Sequence, residues 1–138
     1  YSYEFAATVY DGTGTQTLGD LNWTLDCDGG FYGFESPKKG DRGHQFGSGS
    51  KPCTYLTLST SDFKTGVKKI VLNTSGASET NGECTVTVGG KKIGETITLT
   101  KTATDYTLES SEVLSGEIVI SYTQTSQKAL YIKSIKIN

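Results

Sequence analysis

Residues 83–94 read ECTVTVGGKKIG, and this stretch decides the class of the chain. Cys84, Val86 and Val88 fall on one side of an extended backbone, and Glu83, Thr85 and Thr87 on the other. That is the period-two alternation of a half-buried strand. Gly89–Gly90 then supplies two residues that tolerate positive φ, as a two-residue hairpin turn requires, and Lys91–Gly94 begins the return strand. Working outward, most segments from Cys53 to Asn138 are of the same kind: Tyr55–Leu58, Val67–Asn73, Glu95–Thr100 (ETITLT), Tyr106–Leu108, Glu117–Tyr122 (EIVISY) and Ala129–Ile137 (ALYIKSIKI). Thr74–Asn81 reads as a polar connection. Nine or ten short strands with no helical period predict an all-β chain, a two-sheet antiparallel β-sandwich of jelly-roll type. Ile70, Leu72, Val86, Val88, Ile97, Leu99, Ile118 and Ile120 are expected inward.

Two segments read less simply. In the last strand Leu130 and Ile132 share one phase, while Tyr131, Ile135 and Ile137 share the other. The strand is therefore either covered on both faces or switches phase at a bulge near Lys133–Ser134. Towards the N-terminus, Tyr3–Val9 reads as a strand and Asp11–Gly19 as a polar loop. Leu21–Leu25 is a strand with Trp23 inward, Asp28–Gly30 a turn, and Phe31–Phe34 a short aromatic segment. Residues 36–52 carry both prolines and four glycines. They read as a long loop, or as a loop around one short strand at His44–Gly47, and long loops in compact domains are often functional.

Composition limits the function classes. At 138 residues the chain is expected to be a single β-sandwich domain, 1–138, long enough to bury a core without cross-links. With 17 Gly, 14 Ser and 21 Thr it might be taken for a flexible tract, but disorder shows no hydrophobic period. The chain opens at Tyr1 and contains no Met, and it reads as a piece of a longer secreted protein. No run approaches the roughly 18 apolar residues of a membrane span. The net charge is -2 and the one Arg is Arg42. Lysines are scattered among acids, which argues against nucleic-acid binding.

The chemistry-bearing residues are few. Cys27, Cys53 and Cys84 form no CxxC pair and share a single histidine, so no metal site is expected. They read as small apolar fillers with no obligatory disulfide; if a bridge forms, Cys53–Cys84 is the expected pair. A hydrolytic triad would have to use His44, and no nucleophile elbow accompanies it. No catalytic residue and no cofactor are expected. Asp26 and Asp28 read as turn acids; a calcium role is the minor alternative, without the later Glu of an EF-hand loop. Gly47–Lys51 (GSGSK) lacks the phosphate-loop pattern. Paired carboxylates leave no sequence signature, so a stand-alone hydrolase is a third reading.

The aromatics remain. Phe31, Tyr32 and Phe34 stand beside the long loop that carries Arg42, His44 and Gln45. Sugar sites commonly stack a C–H face on an exposed ring and fix hydroxyls with a few polar groups. The expected ligand-binding residues are Phe31, Tyr32, Arg42 and His44. The alternative has Tyr32 and Phe34 inward and Phe31 capping the core.

Residues 43–48 (GHQFGS), 56–63 (LTLSTSDF), 67–75 (VKKIVLNTS) and 129–137 (ALYIKSIKI) together resemble secreted jelly-roll domains, similar to galactose-binding-like or carbohydrate-binding modules, of extracellular proteins of gut Bacteroidetes. The resemblance covers about the last two thirds of the chain and rests on strand and loop phrases. It implies a two-sheet sandwich, an extracellular or cell-surface address, and a non-catalytic accessory role beside neighbouring domains, with a polysaccharide or glycan as partner and weak binding. It carries over no binding residue. A structural spacer or adhesion domain with no sugar ligand is the alternative.

Overall fold

A computed structural model describes residues 1–77, 82–125 and 128–138. Among these residues thirteen strands follow one another, with one 3-10 turn at Pro37–Lys39. They are β1 (Ser2–Glu4), β2 (Gly14–Leu18), β3 (Leu21–Cys27), β4 (Phe31–Phe34), β5 (His44–Phe46), β6 (Tyr55–Thr60), β7 (Val67–Gly76), β8 (Glu83–Val88), β9 (Lys91–Lys92), β10 (Ile97–Thr98), β11 (Thr104–Leu114), β12 (Ile118–Thr123) and β13 (Leu130–Ile137). One sheet runs β11–β7–β13–β5–β4, with β1 added on β13. The other runs β10–β8–β12–β6–β3–β2, with β9 added on β8. Every pairing is antiparallel. This is the two-sheet jelly-roll sandwich that the strand pattern predicts. No helix among the described residues is long and apolar enough to cross a membrane.

Alternation builds the core. Along β3, Leu21, Trp23, Leu25 and Cys27 are buried while Asn22, Thr24 and Asp26 are exposed. All eight residues expected inward are buried. The hairpin turns as read, with φ of 59° at Gly89 and 83° at Gly90. Three buried or half-buried tyrosines and Thr74 share hydrogen bonds across the core, which offsets the cost of burying their hydroxyls. The Tyr122 hydroxyl on β12 meets Thr74 Oγ1 on β7 at 2.8 Å, joining the two sheets, and Thr74 Oγ1 donates to the Tyr131 carbonyl at 2.5 Å. Tyr10 donates to the Trp23 carbonyl at 2.7 Å, and Trp23 Nε1 donates to the Tyr1 hydroxyl at 3.0 Å.

Three readings are corrected, and one open alternative is decided. Residues 14–18 are an edge strand, not a loop. Their alternation is between two polar sets, so it carries no hydrophobic period; Thr15 pairs with the Thr24 hydroxyl and Thr17 with Asn22 instead. The first strand is Ser2–Glu4 and does not reach Val9: the Phe5 amide makes one more bond, to the Lys133 carbonyl, and the amides of Val9 and Tyr10 go to the His44 ring. Strand β7 runs on to Gly76 through buried Thr74 and Ser75; the rest of the expected 74–81 connection, from residue 78, lies outside the described residues. In β13 the register shifts between Ile132 and Ser134. That bulge puts Leu130, Ile132, Ile135 and Ile137 all inward and leaves Tyr131 on the opposite face, where it is nonetheless covered.

Candidate functional site

The β4–β5 hairpin carries all four candidate residues, and it treats them differently. Its pairing shifts between Phe31 and Gly33, so Tyr32 has no partner across the ladder. Gly33 makes this possible: its φ is 73°, and a Cβ there would come within 2.4 Å of Thr8 Oγ1. Tyr32 alternates with Phe31, whose partner Phe46 is inward, so its ring faces outward and is 44% exposed; the bulge then brings Phe34 into pairing with inward His44. The Tyr32 ring does not hang free. It lies so close to the Gly30 backbone that a Cβ on Gly30 would stand 2.9 Å from Tyr32 Cε2 and 3.0 Å from Lys51 Cβ. Its hydroxyl accepts from Ser48 Oγ at 2.8 Å; Ser48 Oγ in turn lies 3.2 Å from Ser50 Oγ and accepts from the Lys51 amide at 3.1 Å. Hydrogen bonds from Ser48 and Ser50 favour the phenolate and hold the Tyr32 hydroxyl below its ordinary value.

Phe31 is half-buried and meets Phe46 edge-on, with centroids 6.4 Å apart. It caps the core, as the alternative reading had it. Phe34 is half-buried as well.

His44 is no surface residue, and its expected contact with a ligand is corrected. It is 0% exposed, stacked on Phe46 at 4.5 Å and edge-on to Phe5 at 5.4 Å. Its Nε2 accepts from the amides of Val9 at 3.3 Å and Tyr10 at 3.2 Å. Burial drives its pKa down to about 4, against a smaller opposing contribution from the Gln45 backbone. The imidazole is a neutral pin that holds the 8–10 segment against β5. On a strand whose neighbours alternate inward, His44 occupies the inward phase with Phe46.

Arg42 stands at the other end of the hairpin. It makes a bidentate pair with Glu35, Nε to Oε1 at 3.0 Å and Nη2 to Oε2 at 2.6 Å. Its guanidinium carbon lies 3.9 Å from the centroid of the Tyr131 ring. The two contacts fold residues 35–43 over the outer face of the sheet and cover Tyr131. Lys133 and Asp41 tie the same loop down at 3.0 Å. Arg42 also lines an open cleft of about 390 Å³ with Lys39, Gly40, Asp41 and Lys101–Ala103. The hairpin thus brings Phe31 and Tyr32 to one end and Arg42 to the other, with His44 inside.

Of the two expected turn acids, Asp26 is instead an exposed residue within β3, paired across the ladder with Thr57, and only Asp28 stands at the turn. Asp28 accepts from the Thr54 amide at 2.8 Å, the Tyr55 amide at 3.2 Å and the Thr54 hydroxyl. Partial burial works to raise its carboxyl, but these hydrogen bonds outweigh it and hold the group below the usual aspartate range. No cluster of metal-ligating side chains occurs among the described residues. Ser48, Ser50 and Lys51, which fix Tyr32, were legible only as a failed phosphate loop. Tyr131 and Glu35 had one signal: Tyr131 sits out of phase in its strand.

No protein-family model matches the sequence, and no curated protein matches it significantly. Solved structures share its fold. TmCBM61, solved in complex with β-1,4-galactotriose, aligns over 84% of this chain and 87% of its own, at 13% identity and a TM-score of 0.53. A variant of CBM29-2, a family 29 carbohydrate-binding module, aligns over 94% of this chain and 90% of its own, at 14% identity and a TM-score of 0.51. The chain therefore has the fold of a carbohydrate-binding-module sandwich.

Proposed function

We propose that the protein is a non-catalytic carbohydrate-binding module that holds its sugar on the Tyr32 ring. One observation carries this reading: an exposed aromatic ring backed by main chain and tethered at its hydroxyl. The Gly30 backbone supports the ring, and the Ser48–Ser50 hydroxyls lock its phenol. A ring held still loses little freedom when a sugar's C–H face stacks on it. Ser50 and the Lys51 ammonium stand beside it as hydroxyl partners. A single ring on an open surface supports weak binding. The accessory role, the attachment to a longer extracellular or cell-surface protein with neighbouring domains, and an origin in gut Bacteroidetes belong to the same reading.

The test is retention in affinity gels and titration calorimetry against soluble polysaccharides. β-1,4-galactan comes first, because TmCBM61 holds β-1,4-galactotriose; xylan and mannan follow. Tyr32→Ala should weaken binding about tenfold, or about 1.4 kcal/mol. Tyr55→Ala, which removes another exposed ring, should leave it unchanged. Absence of retention on every polysaccharide would reject the reading in favour of a structural spacer or adhesion domain. That second reading draws on the inward or paired state of Phe31, Arg42 and His44.

A further inference from the structure

We infer that Cys27 and Cys53 are the two ends of a disulfide that closes the loop carrying the Tyr32 platform. Both are thiols in this structure, and both are buried. Three independent contacts run the chain segments beside one another. Cys27 is the last residue of β3 and pairs with Leu56 across the ladder. Asp28 is bound to the amides of Thr54 and Tyr55. Gly29 lies so close to Cys53 that an added Cβ would stand 2.7 Å from the Cys53 Cβ. Residues 27–29 therefore run antiparallel to residues 53–56, which sets Cys53 against Gly29, two residues from Cys27, while the Cys53 Sγ turns back along the track to the Tyr55 carbonyl.

Cys53 is held from its other side as well. Its amide donates to the Lys128 carbonyl at 3.2 Å, its carbonyl accepts from Gln124 Nε2 at 2.6 Å, and its Sγ donates to the Tyr55 carbonyl at 3.2 Å. The two thiols are near enough for each to perturb the other's ionisation. Cys84 is elsewhere: it lies in the core against the Tyr122 hydroxyl. The conditional Cys53–Cys84 pairing is thereby corrected: Cys84 lies on β8, and β12 stands between it and β6, the strand that Cys53 leads into. An odd cysteine count does not prevent one bridge and one inert thiol.

The chemistry needs an oxidant, and a small-molecule disulfide such as oxidised glutathione supplies it by exchange. Cys27, as its thiolate, attacks one glutathione sulfur. The glutathione S–S bond breaks, and one glutathione leaves as thiolate. Cys53 then gives up its proton and attacks the Cys27 sulfur of the mixed disulfide, releasing the second glutathione. Two electrons and two protons pass from the protein to the oxidant. Both thiols are buried, so the exchange takes place before the 28–52 loop closes or when it opens. An oxidising compartment is where such bridges persist.

The experiment refolds the reduced, denatured protein with a glutathione redox pair, then denatures it without reductant and alkylates the remaining thiols. Mass spectrometry should find one alkylated cysteine, Cys84, and a cross-linked peptide pair joining Cys27 to Cys53. Cys84→Ala should leave no free thiol, and Cys27→Ser should leave two. Reductant should lower the wild-type melting temperature by on the order of 10 °C and leave that of Cys27→Ser unchanged. Three free thiols, or a cross-link that includes Cys84, would overturn the inference. If Cys27→Ser does not fold, the thiol count on the denatured wild type still decides.

Discussion

Acidification from pH 7 to pH 4 should destabilise this protein through one side chain, His44. In the unfolded chain its imidazole titrates at the ordinary 6.5; in the fold, burial holds it near 4. The ring is 0% exposed and its Nε2 is committed as an acceptor to two backbone amides, so protonation would place a charge in the core and break both bonds. The sign follows from which state binds the proton. Above pH 6.5 neither state is protonated, and the stability is fully present. Between 6.5 and about 4 the unfolded chain takes the proton and the folded chain does not, so stability falls by about 1.4 kcal/mol per pH unit. The loss reaches about 3 kcal/mol by pH 4, a sizeable fraction of the roughly 5–15 kcal/mol typical of a domain. Asp28 adds to acid sensitivity only lower. Its depressed pKa gives stability that is present above the ordinary aspartate value and lost as pH falls through the folded one. The assay is urea unfolding followed by Trp23 fluorescence from pH 7.5 to 4.5. Because the chain has one histidine, a single imidazole proton resonance reports its titration in parallel. His44→Gln, which keeps an acceptor and removes the titration, should flatten the profile between pH 6.5 and 4.5. An imidazole titrating near 6.5 in the folded protein, or a wild-type stability flat over that window, would refute the reasoning.

Two further outcomes test the loop that covers the outer face of the sheet. Gly43→Ala should destabilise the protein by about 2 kcal/mol or more: its φ is 83°, and a Cβ there would lie 2.4 Å from the Ile132 carbonyl oxygen and the Lys133 Cα. A denaturation midpoint within error of wild type would mean the loop is free to shift. Arg42→Lys should cost about 2 kcal/mol, because an ammonium cannot make the bidentate pair with buried Glu35 or lie flat over Tyr131. Near-neutral behaviour in the same unfolding assay would show the pair to be a surface contact.

The fold was legible where one face of a strand is apolar. Strands β3, β8 and β12 bury alternate side chains, and their period is written in Leu, Val, Ile and Trp. It was illegible where the alternation is polar on polar, as in β2. There Thr15 and Thr17 face Thr24 and Asn22, and the pairing energy resides in backbone and hydroxyl hydrogen bonds that leave no hydrophobic signature. The phase break in β13 was visible as an ambiguity. Sequence alone does not choose between a bulge and double coverage, because coverage of Tyr131 depends on Arg42, 89 positions away in the chain.

The candidate site shows the same division more sharply. Aromatic residues near glycines and a long loop are the right vocabulary for a ligand platform, but the ring that faces outward is chosen by backbone geometry. The bulge between Phe31 and Gly33 lets both Phe31 and Phe34 pair with inward residues, Phe46 and His44, and stay half-buried, so that Tyr32 alone of the three rings faces out. His44 shows why a polar residue in a glycine-rich stretch is a poor guide to exposure. The 8–10 segment leaves the sheet and needs an acceptor for two amides, and an inward imidazole supplies it at the cost of its own basicity. A buried polar group with a backbone partner is a packing solution, and the partner is invisible until the fold brings Val9 and Tyr10 to β5. Reading outward from the bulge therefore separates two roles that the sequence placed side by side: Tyr32 is held out as a surface, and His44 is held in as a pin.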